Sequence, residues 1–300
     1  MHLVLVYNAQ SGRGRGRAAA TAATDHLRSR GHDVTSVQLS PALTQADLIE
    51  RVRGAGALIA MGGDGTVSFA VGAAVAADVP IYHAPLGTEN LFAREFQMRV
   101  DPEAIGRAVA GGRVRRIDLA RCAGRQVLLV ASFGPDAGVI HRLARARRGA
   151  ISHGAYAGPI LAELRELAFT RHKVTVDGTA LECAEPSVVI VANCRQYAAR
   201  LDPARDARMD DGLLDVVILP YRTRAGLMAW APRLRFGPEA LRRNILRLRG
   251  EHVRVEATDG PLVGQIDGEA MQPTTLAPGE APPVHAQITI EPGVVPVLLP

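Results

Sequence analysis

Gly62-Gly63-Asp64-Gly65-Thr66 sets three glycines around one carboxylate, where the apolar run Ala57-Leu58-Ile59-Ala60-Met61 gives way to Val67-Ser68-Phe69-Ala70-Val71. Glycines let backbone N–H groups approach a polyanion, a helix N-terminus favours negative charge, and a carboxylate in the turn can hold a metal ion. The chemistry this suits is phosphate handling; the plain alternative is an ordinary strand-to-helix turn. A second loop, Asn8-Ala9-Gln10-Ser11-Gly12-Arg13-Gly14-Arg15-Gly16, is spaced GxGxG and so lacks the GxGxxG of a dinucleotide fingerprint. It reads as phosphate-cradling backbone or a solvated basic turn, and less well as an RNA-binding RGRGR tail, because regular structure frames it. A third loop is Pro85-Leu86-Gly87-Thr88-Glu89-Asn90-Leu91-Phe92-Ala93-Arg94.

The elements that must carry these loops follow from hydrophobic period. Residues 2–7, 33–39, 57–61 and 80–84 read as strands. Helix-period segments lie around 16–30, 44–53, 65–77 and 88–96, with Thr44-Gln45-Ala46-Asp47 as a helix start. This alternation predicts an α/β domain with a parallel sheet, whose carboxyl edge would receive all three loops. From about residue 120 the pattern changes to strands and hairpin signals: Arg125 to Phe133, Lys173 to Cys183 around Asp177-Gly178, Ser187 to Asn193, and Leu213 to Leu219. The expected organisation is an N-terminal α/β domain over 1–119 and a β-rich domain over 120–288, with the strand-like segment from about 289 to 300 free to return to either domain, including completion of the first.

Composition narrows the function classes. The chain has 300 residues, 47% of them hydrophobic, enough for two packed cores. No run reaches the roughly 18 apolar residues of a membrane span, and Met1-His2-Leu3-Val4-Leu5 lacks the basic flank of a leader, so a cytoplasmic protein is expected. Cys122, Cys183 and Cys194 form no CxxC or Cys/His spacing, and the nine histidines form no HExxH. Lys173 is the sole lysine, which excludes a Walker A site; arginines, backbone amides and metal must supply any charge for phosphate transfer. Aromatic residues, at 4%, are too sparse for base-stacking platforms, so the net charge of +5 does not indicate nucleic-acid binding.

Taken together, Asn8-x-x-Ser11-Gly12, Gly62-Gly63-Asp64-Gly65-Thr66, Pro85-Leu86-Gly87-Thr88-x-Asn90 and Asp267-Gly268-Glu269 resemble the diacylglycerol kinase catalytic-domain family, which includes bacterial lipid kinases and sphingosine kinases. The resemblance spans almost the whole chain. It implies an α/β nucleotide domain followed by a β-sandwich acceptor domain, with the active site between them. It further implies ATP binding by Asn8, Ser11, Gly12, Gly14, Ser40, Gly62, Gly63, Asp64, Gly65, Thr66 and Thr88. Asp64 would act on the Mg²⁺-nucleotide with help from Asp118, and Glu269 would deprotonate a lipid hydroxyl. Arg208-Met209-Asp210-Asp211-Gly212-Leu213 is similar to a family segment that holds a structural Mg²⁺ through Asp211 and the carbonyls of Arg208 and Leu213; read alone, Asp-Gly before a β-run is a turn. The chain departs from the family pattern at Leu91, where an aspartate is usual, and at Ser68-Phe69, where Asn-Glu is common.

The leading expectation is therefore an ATP- and Mg²⁺-dependent kinase acting on a diacylglycerol-like or other lipid, in phospholipid biosynthesis. NAD kinase shares the GGDGT loop, and a nucleotide- or lipid-binding protein without catalysis is the alternative of another class. A lipid acceptor implies peripheral membrane contact. Arg222, Arg224, Arg233, Arg235, Arg242, Arg243, Arg247 and Arg249, interleaved with Leu227, Met228, Trp230, Leu234 and Phe236, suit that role or a solvated helix pair; the segment His141 to Arg148 poses the same choice. The sequence admits a homodimer without specifying one.

Overall fold

The computed structural model describes residues 1–146, 153–237, 244–271 and 284–300. Two compact units emerge: Met1–Asp118 with Pro292–Pro300, and Leu119–Glu291. In chain order the first contains β1 (His2–Tyr7), α1 (Ser11–Gly14), α2 (Gly16–Ser29), β2 (Asp33–Gln38), α3 (Gln45–Val52), β3 (Ala57–Gly62), α4 (Asp64–Ala77), β4 (Ile81–Pro85), α5 (Leu91–Glu95), α6 (Pro102–Gly111) and the start of β5 (Val114–Cys122). The second contains β6 (Arg125–Val127), β7 (Val130–Phe133), α7 (Pro135–Ala146), α8 (Ala157–Arg165), β8 (Arg171–Val176), β9 (Thr179–Ala192), β10 (Leu214–Pro220), α9 (Arg224–Phe236), β11 (Leu246–Gly250), β12 (His252–Ala257), β13 (Gly264–Ile266), β14 (Glu269–Ala270) and most of β15 (His285–Leu298).

The first unit is an α/β layer structure. Its strands run parallel in the order β2-β1-β3-β4, with Val297 of β15 paired parallel to Ile81 of β4. Every residue of β3 is buried, as expected for a parallel strand covered on both faces, whereas β2 at the edge alternates between buried and exposed positions. Helix α2 buries Ala20, Ala23, Thr24 and Leu27, the i, i+3, i+4, i+7 stripe of a one-sided helix. Thr44 and Asp47 form a reciprocal capping box at the start of α3. Helix α6 was not anticipated, although Asp101 caps it with Pro102 at the next position, a recognised helix start.

The second unit is built on antiparallel strands. Its long strand β9 serves two neighbourhoods, pairing with β8 through Thr179–Glu182 and Pro186 and with β7 and β10 from Ser187 to Ala192. Strands β13 and β14 extend the β7 side, β11 the β10 side, and β12 and β15 the β8 side. Phe133, Val174, Val189, Val191, Val216, Val253, Val255 and Ile288 form the apolar core. Helices α7, α8 and α9 stand among the strands of this β-rich half. Of the arginine-rich segment the described residues form α9 and β11; Arg242 and Arg243 lie outside the described residues, as do Arg147 and Arg148.

One buried ionisable group makes folding pH-dependent. His172 on β8 is 1% exposed, with Nδ1 3.1 Å from Ser187 Oγ. Burial pushes its pKa down from 6.5 to about 4, against the opposing pull of Asp259. An unfolded chain therefore takes up a proton that the folded chain refuses between those values, so this stability is complete above pH 6.5 and lost as pH falls towards 4. The expected loss is about 3 kcal/mol at most. Urea denaturation across that window should show the decline, and His172→Gln should flatten it.

Candidate active site

Strands β1, β3 and β4 are parallel neighbours, so the loops that follow them leave one edge of the sheet. The loops also touch. The Asn8 N–H donates to the Met61 carbonyl at 3.0 Å, and the Leu86 N–H donates to the Gly62 carbonyl at 2.7 Å. A methyl group on Gly87 would lie 2.5 Å from Gly63 Cα, and one on Gly16 would lie 2.0 Å from the Asn8 carbonyl oxygen. These are backbone-to-backbone contacts that cannot yield by turning a side chain, so glycine is required there. Gly12, at φ +62°, packs against Leu86 of the third loop; α1 is in fact an irregular turn with Gly12 and Arg13 left-handed.

Local hydrogen bonds hold each loop in shape. Asn8 Oδ1 accepts the Gln10 N–H at 3.0 Å. Asn90, itself left-handed at φ +50°, accepts the Gly87 N–H and donates to the Gly87 carbonyl, both at 2.8 Å. Asp64, half-buried in the first turn of α4, accepts the Phe92 N–H through Oδ1 at 3.2 Å and thereby fixes the start of α5. Thr66 is buried against Gly62, while Gly65 and Thr88 are exposed. Ser11 donates its N–H to the Asn8 carbonyl, and Gly14 is left-handed in open space. The N-terminus of α4 and the exposed Arg13 and Arg15 of the loop after β1 provide the positive character a phosphate chain needs without a Walker lysine.

Beneath these loops lies a residue that the sequence reading overlooked. His83 on β4 is fully buried, and its Nε2 lies 3.1 Å from the Gly62 carbonyl, so Nε2 carries the proton and donates. Burial holds its pKa down against the pull of Asp64, keeping the ring neutral. Its apolar neighbours on β4 conceal it in the sequence. Ser40 follows β2 in the 39–44 loop and is partly buried. Asp118 is buried on β5, where Oδ1 accepts the Gly293 N–H at 2.8 Å. Leu91 is buried at the start of α5, and Glu89 pairs with Arg94 at 3.6 Å.

Glu269 belongs to the second unit, at the start of β14 and exposed. Its turn is tightly specified. Asp267, left-handed at φ +51°, accepts the backbone N–H groups of Leu128, Leu129 and Val130 at 2.9, 2.8 and 3.0 Å. Gln265 accepts the Gly268 N–H at 2.7 Å and donates to Ser132 Oγ at 2.7 Å. Ser132 and Tyr197 both donate to Asp136 Oδ2, the latter at 2.8 Å, and burial pushes the Asp136 carboxyl up. Arg125 approaches Glu269 Oε2 at 3.4 Å and donates to the Ala270 carbonyl at 2.8 Å. No local pattern in the sequence signals Arg125 or Gln265 as partners of this turn.

The segment of Arg208, Asp211 and Leu213 does not fit a divalent ion. Leu213 donates its N–H to Asp211 Oδ1 at 3.2 Å, and the Arg249 guanidinium is hydrogen-bonded to Oδ2. The single carboxylate of the set is thus already neutralised. Among the described residues, no group of three or more His, Cys, Asp or Glu side chains could hold a metal ion. A pocket of about 270 Å³ in the second unit, with walls that include Gly134, His141, Arg142, Glu163 and His172, takes in none of the expected nucleotide, catalytic or metal residues; its His141, Arg142 and Arg145 come from the basic segment that begins at His141.

Comparison with known proteins agrees with this architecture. Residues 2–122 match the diacylglycerol kinase catalytic domain, and residues 129–299 match the YegS C-terminal NAD kinase beta sandwich-like domain. A diacylglycerol kinase of Mycobacterium tuberculosis is 29% identical over 304 residues, covering 98% of this chain and 93% of the relative. A Pseudomonas fluorescens protein named "Probable lipid kinase YegS-like" is 30% identical over 260 residues, covering 85% of each. Among solved structures, a diacylglycerol kinase of Bacillus anthracis superimposes with a TM-score of 0.68 at 18% identity, covering 100% of this chain and 96% of that one. An NAD kinase of Archaeoglobus fulgidus in complex with ATP gives 0.50 at 14% identity, covering 100% and 93%. At these identities the structural likeness speaks for the fold.

The Asp267 carboxylate generates a prediction of its own. Replacing it with alanine strands three backbone donors, and a charge-assisted network of this kind is worth at least about 2 kcal/mol. Denaturant unfolding of Asp267→Ala should show that loss; a variant as stable as the parent would remove the clamp from the account.

Proposed function

The chain belongs to the diacylglycerol kinase catalytic-domain family, and from that premise we propose that it transfers the γ-phosphate of ATP to a hydroxyl of a diacylglycerol-like or other lipid. The observation that carries the reading is the contact of three glycine loops at one sheet edge, with Gly87 against Gly63 and Gly12 against Leu86. Such an edge suits a triphosphate, whose oxygens accept from backbone N–H groups and the α4 N-terminus, with Arg13 and Arg15 as cations. In this reading Asn8, Ser11, Gly12, Gly14, Ser40, Gly62 to Thr66 and Thr88 contact the nucleotide, while His83 and Asn90 keep the loops in register. Asp64 and Asp118 act on the nucleotide's magnesium, which arrives with the substrate.

Glu269 is the base. It takes the proton of the acceptor hydroxyl as the oxygen bonds to the γ-phosphorus, and the bond to the bridging oxygen breaks with ADP leaving. Arg125 and the Asp267 clamp orient that carboxylate. A positioned base contributes about 10² to 10⁴ in rate, and placement with charge neutralisation supplies the remainder.

The lipid would be met at an anionic membrane surface. Helix α9 carries Arg224, Arg233 and Arg235 and no acidic residue, with Met228 and Phe236 exposed at 47% and 79%. Arg224 donates to the Leu164 carbonyl of α8 at 2.6 Å, next to exposed Ile160 and Leu161. Basic and apolar groups on one surface suit an anionic bilayer, at about 1 kcal/mol per arginine. No helix among the described residues is long and apolar enough to cross a membrane.

A second reading, NAD kinase, is favoured by the GGDGT loop and a related two-domain plan. Radiolabelled ATP offered to diacylglycerol and other lipids in anionic and neutral vesicles, and to NAD, separates the two. Label should pass to a lipid, faster on anionic vesicles, and Glu269→Gln should lower turnover at least about 10²-fold with ATP affinity retained. Transfer to NAD alone, or to nothing despite bound nucleotide, would contradict the proposal.

A further inference from the structure

We propose that Arg249 takes the place of a divalent ion at the turn before β10, so that the turn is closed by a cation of the chain itself and is indifferent to Mg²⁺. Strand pairing supports this before any side-chain contact does. Strands β10 and β11 are antiparallel with Asp215 directly opposite Arg249, which sets the two side chains on one face of the sheet. Asp211 stands just before β10, and its carboxylate is oriented by the Leu213 N–H two residues on.

Arg249 then reaches both acids. Its Nη2 donates to Asp211 Oδ2, and its Nε lies 3.4 Å from Asp215 Oδ2. A guanidinium offers five donors in a planar fork, so one arginine can serve two carboxylates at once. An ion at Asp211 would need to sit about 2.0–2.6 Å from a carboxylate oxygen. Oδ2 is occupied by the guanidinium and Oδ1 by Leu213, and a second cation there would face Arg249 directly. Arg208, expected to offer only its carbonyl, pairs its guanidinium with Asp210 at 3.3 Å and so adds a second fixed positive charge to the same segment. All three ends of the arrangement are tied: the turn, the start of β10 and the partner strand.

The test uses the full chain without nucleotide or lipid, so its failure would leave the phosphotransfer reading untouched. Thermal unfolding is followed in Mg²⁺ and in excess EDTA, and bound metal is measured by atomic emission after purification in Mg²⁺ buffer. The wild type should retain no stoichiometric metal and melt at the same temperature in both. Arg249→Met should lower the melting temperature by about 2–4 °C or more, and Asp211→Asn in that background should lower it little further. One retained equivalent of Mg²⁺ in the wild type, or a wild-type melting temperature that falls on chelation, would overturn the proposal without reference to either variant. So would an Arg249→Met variant that melts with the wild type.

Discussion

The backbone contact between Gly63 and Gly87 is the constraint on which the rest of the α/β unit depends. A Cβ at residue 87 would come within 2.5 Å of Gly63 Cα, and the Leu86 N–H closes the same seam on the Gly62 carbonyl. This lets the loops after β3 and β4 share one surface rather than stand apart. Asp64 then reaches the Phe92 N–H, linking the first turn of α4 to the start of α5. His83 braces the seam from below as a neutral donor to Gly62. Loops already locked together by such contacts cost little reorganisation when a polyanion arrives, which is what a site without a Walker lysine requires.

The β-rich unit solves a different problem, which is to hold one exposed carboxylate on a short turn. Asp267 gathers three consecutive N–H groups, Gln265 secures Gly268, and Arg125 spans from Glu269 to the Ala270 carbonyl. A left-handed aspartate costs about 1–2 kcal/mol, which three charge-assisted hydrogen bonds offset. The same unit closes the turn before β10 with Arg249, so the Asp211-Gly212 and Asp267-Gly268 turns are both fastened by arginine and backbone amide.

Much of this was legible in the sequence, for reasons that differ by residue. Glycine needs are local: a turn that must bring backbone to a ligand declares itself, as at Gly62-Gly63 and Gly12-Gly14. Strands β1, β3 and β4 stood out because parallel strands buried on both faces read as unbroken apolar runs. The same physics hid other features. Nothing near Gly87 names Gly63 as its neighbour, because the contact is set by the sheet rather than by adjacency in the chain. His83 is lost among the apolar residues of β4, and Arg125 and Arg249 find their carboxylates through strand pairing. Asp211 was expected to hold a metal because its segment is similar to one that does so in the family, while the guanidinium that answers it lies 38 residues on. Helix α8 was missed because it buries no residue and so carries no apolar stripe to mark it.

The central claim is that the triphosphate of ATP sits where the three loops meet. Calorimetric titration of ATP with Mg²⁺ into the wild type, Gly87→Ala and Gly111→Ala tests it most directly, since a methyl group at Gly87 strikes the Gly63 backbone and one at Gly111 meets nothing within 4 Å. The account predicts that ATP binds the wild type and Gly111→Ala alike, and Gly87→Ala at least about tenfold more weakly, a difference of about 1.4 kcal/mol. Equal affinity in Gly87→Ala, or no binding to the wild type, would contradict it.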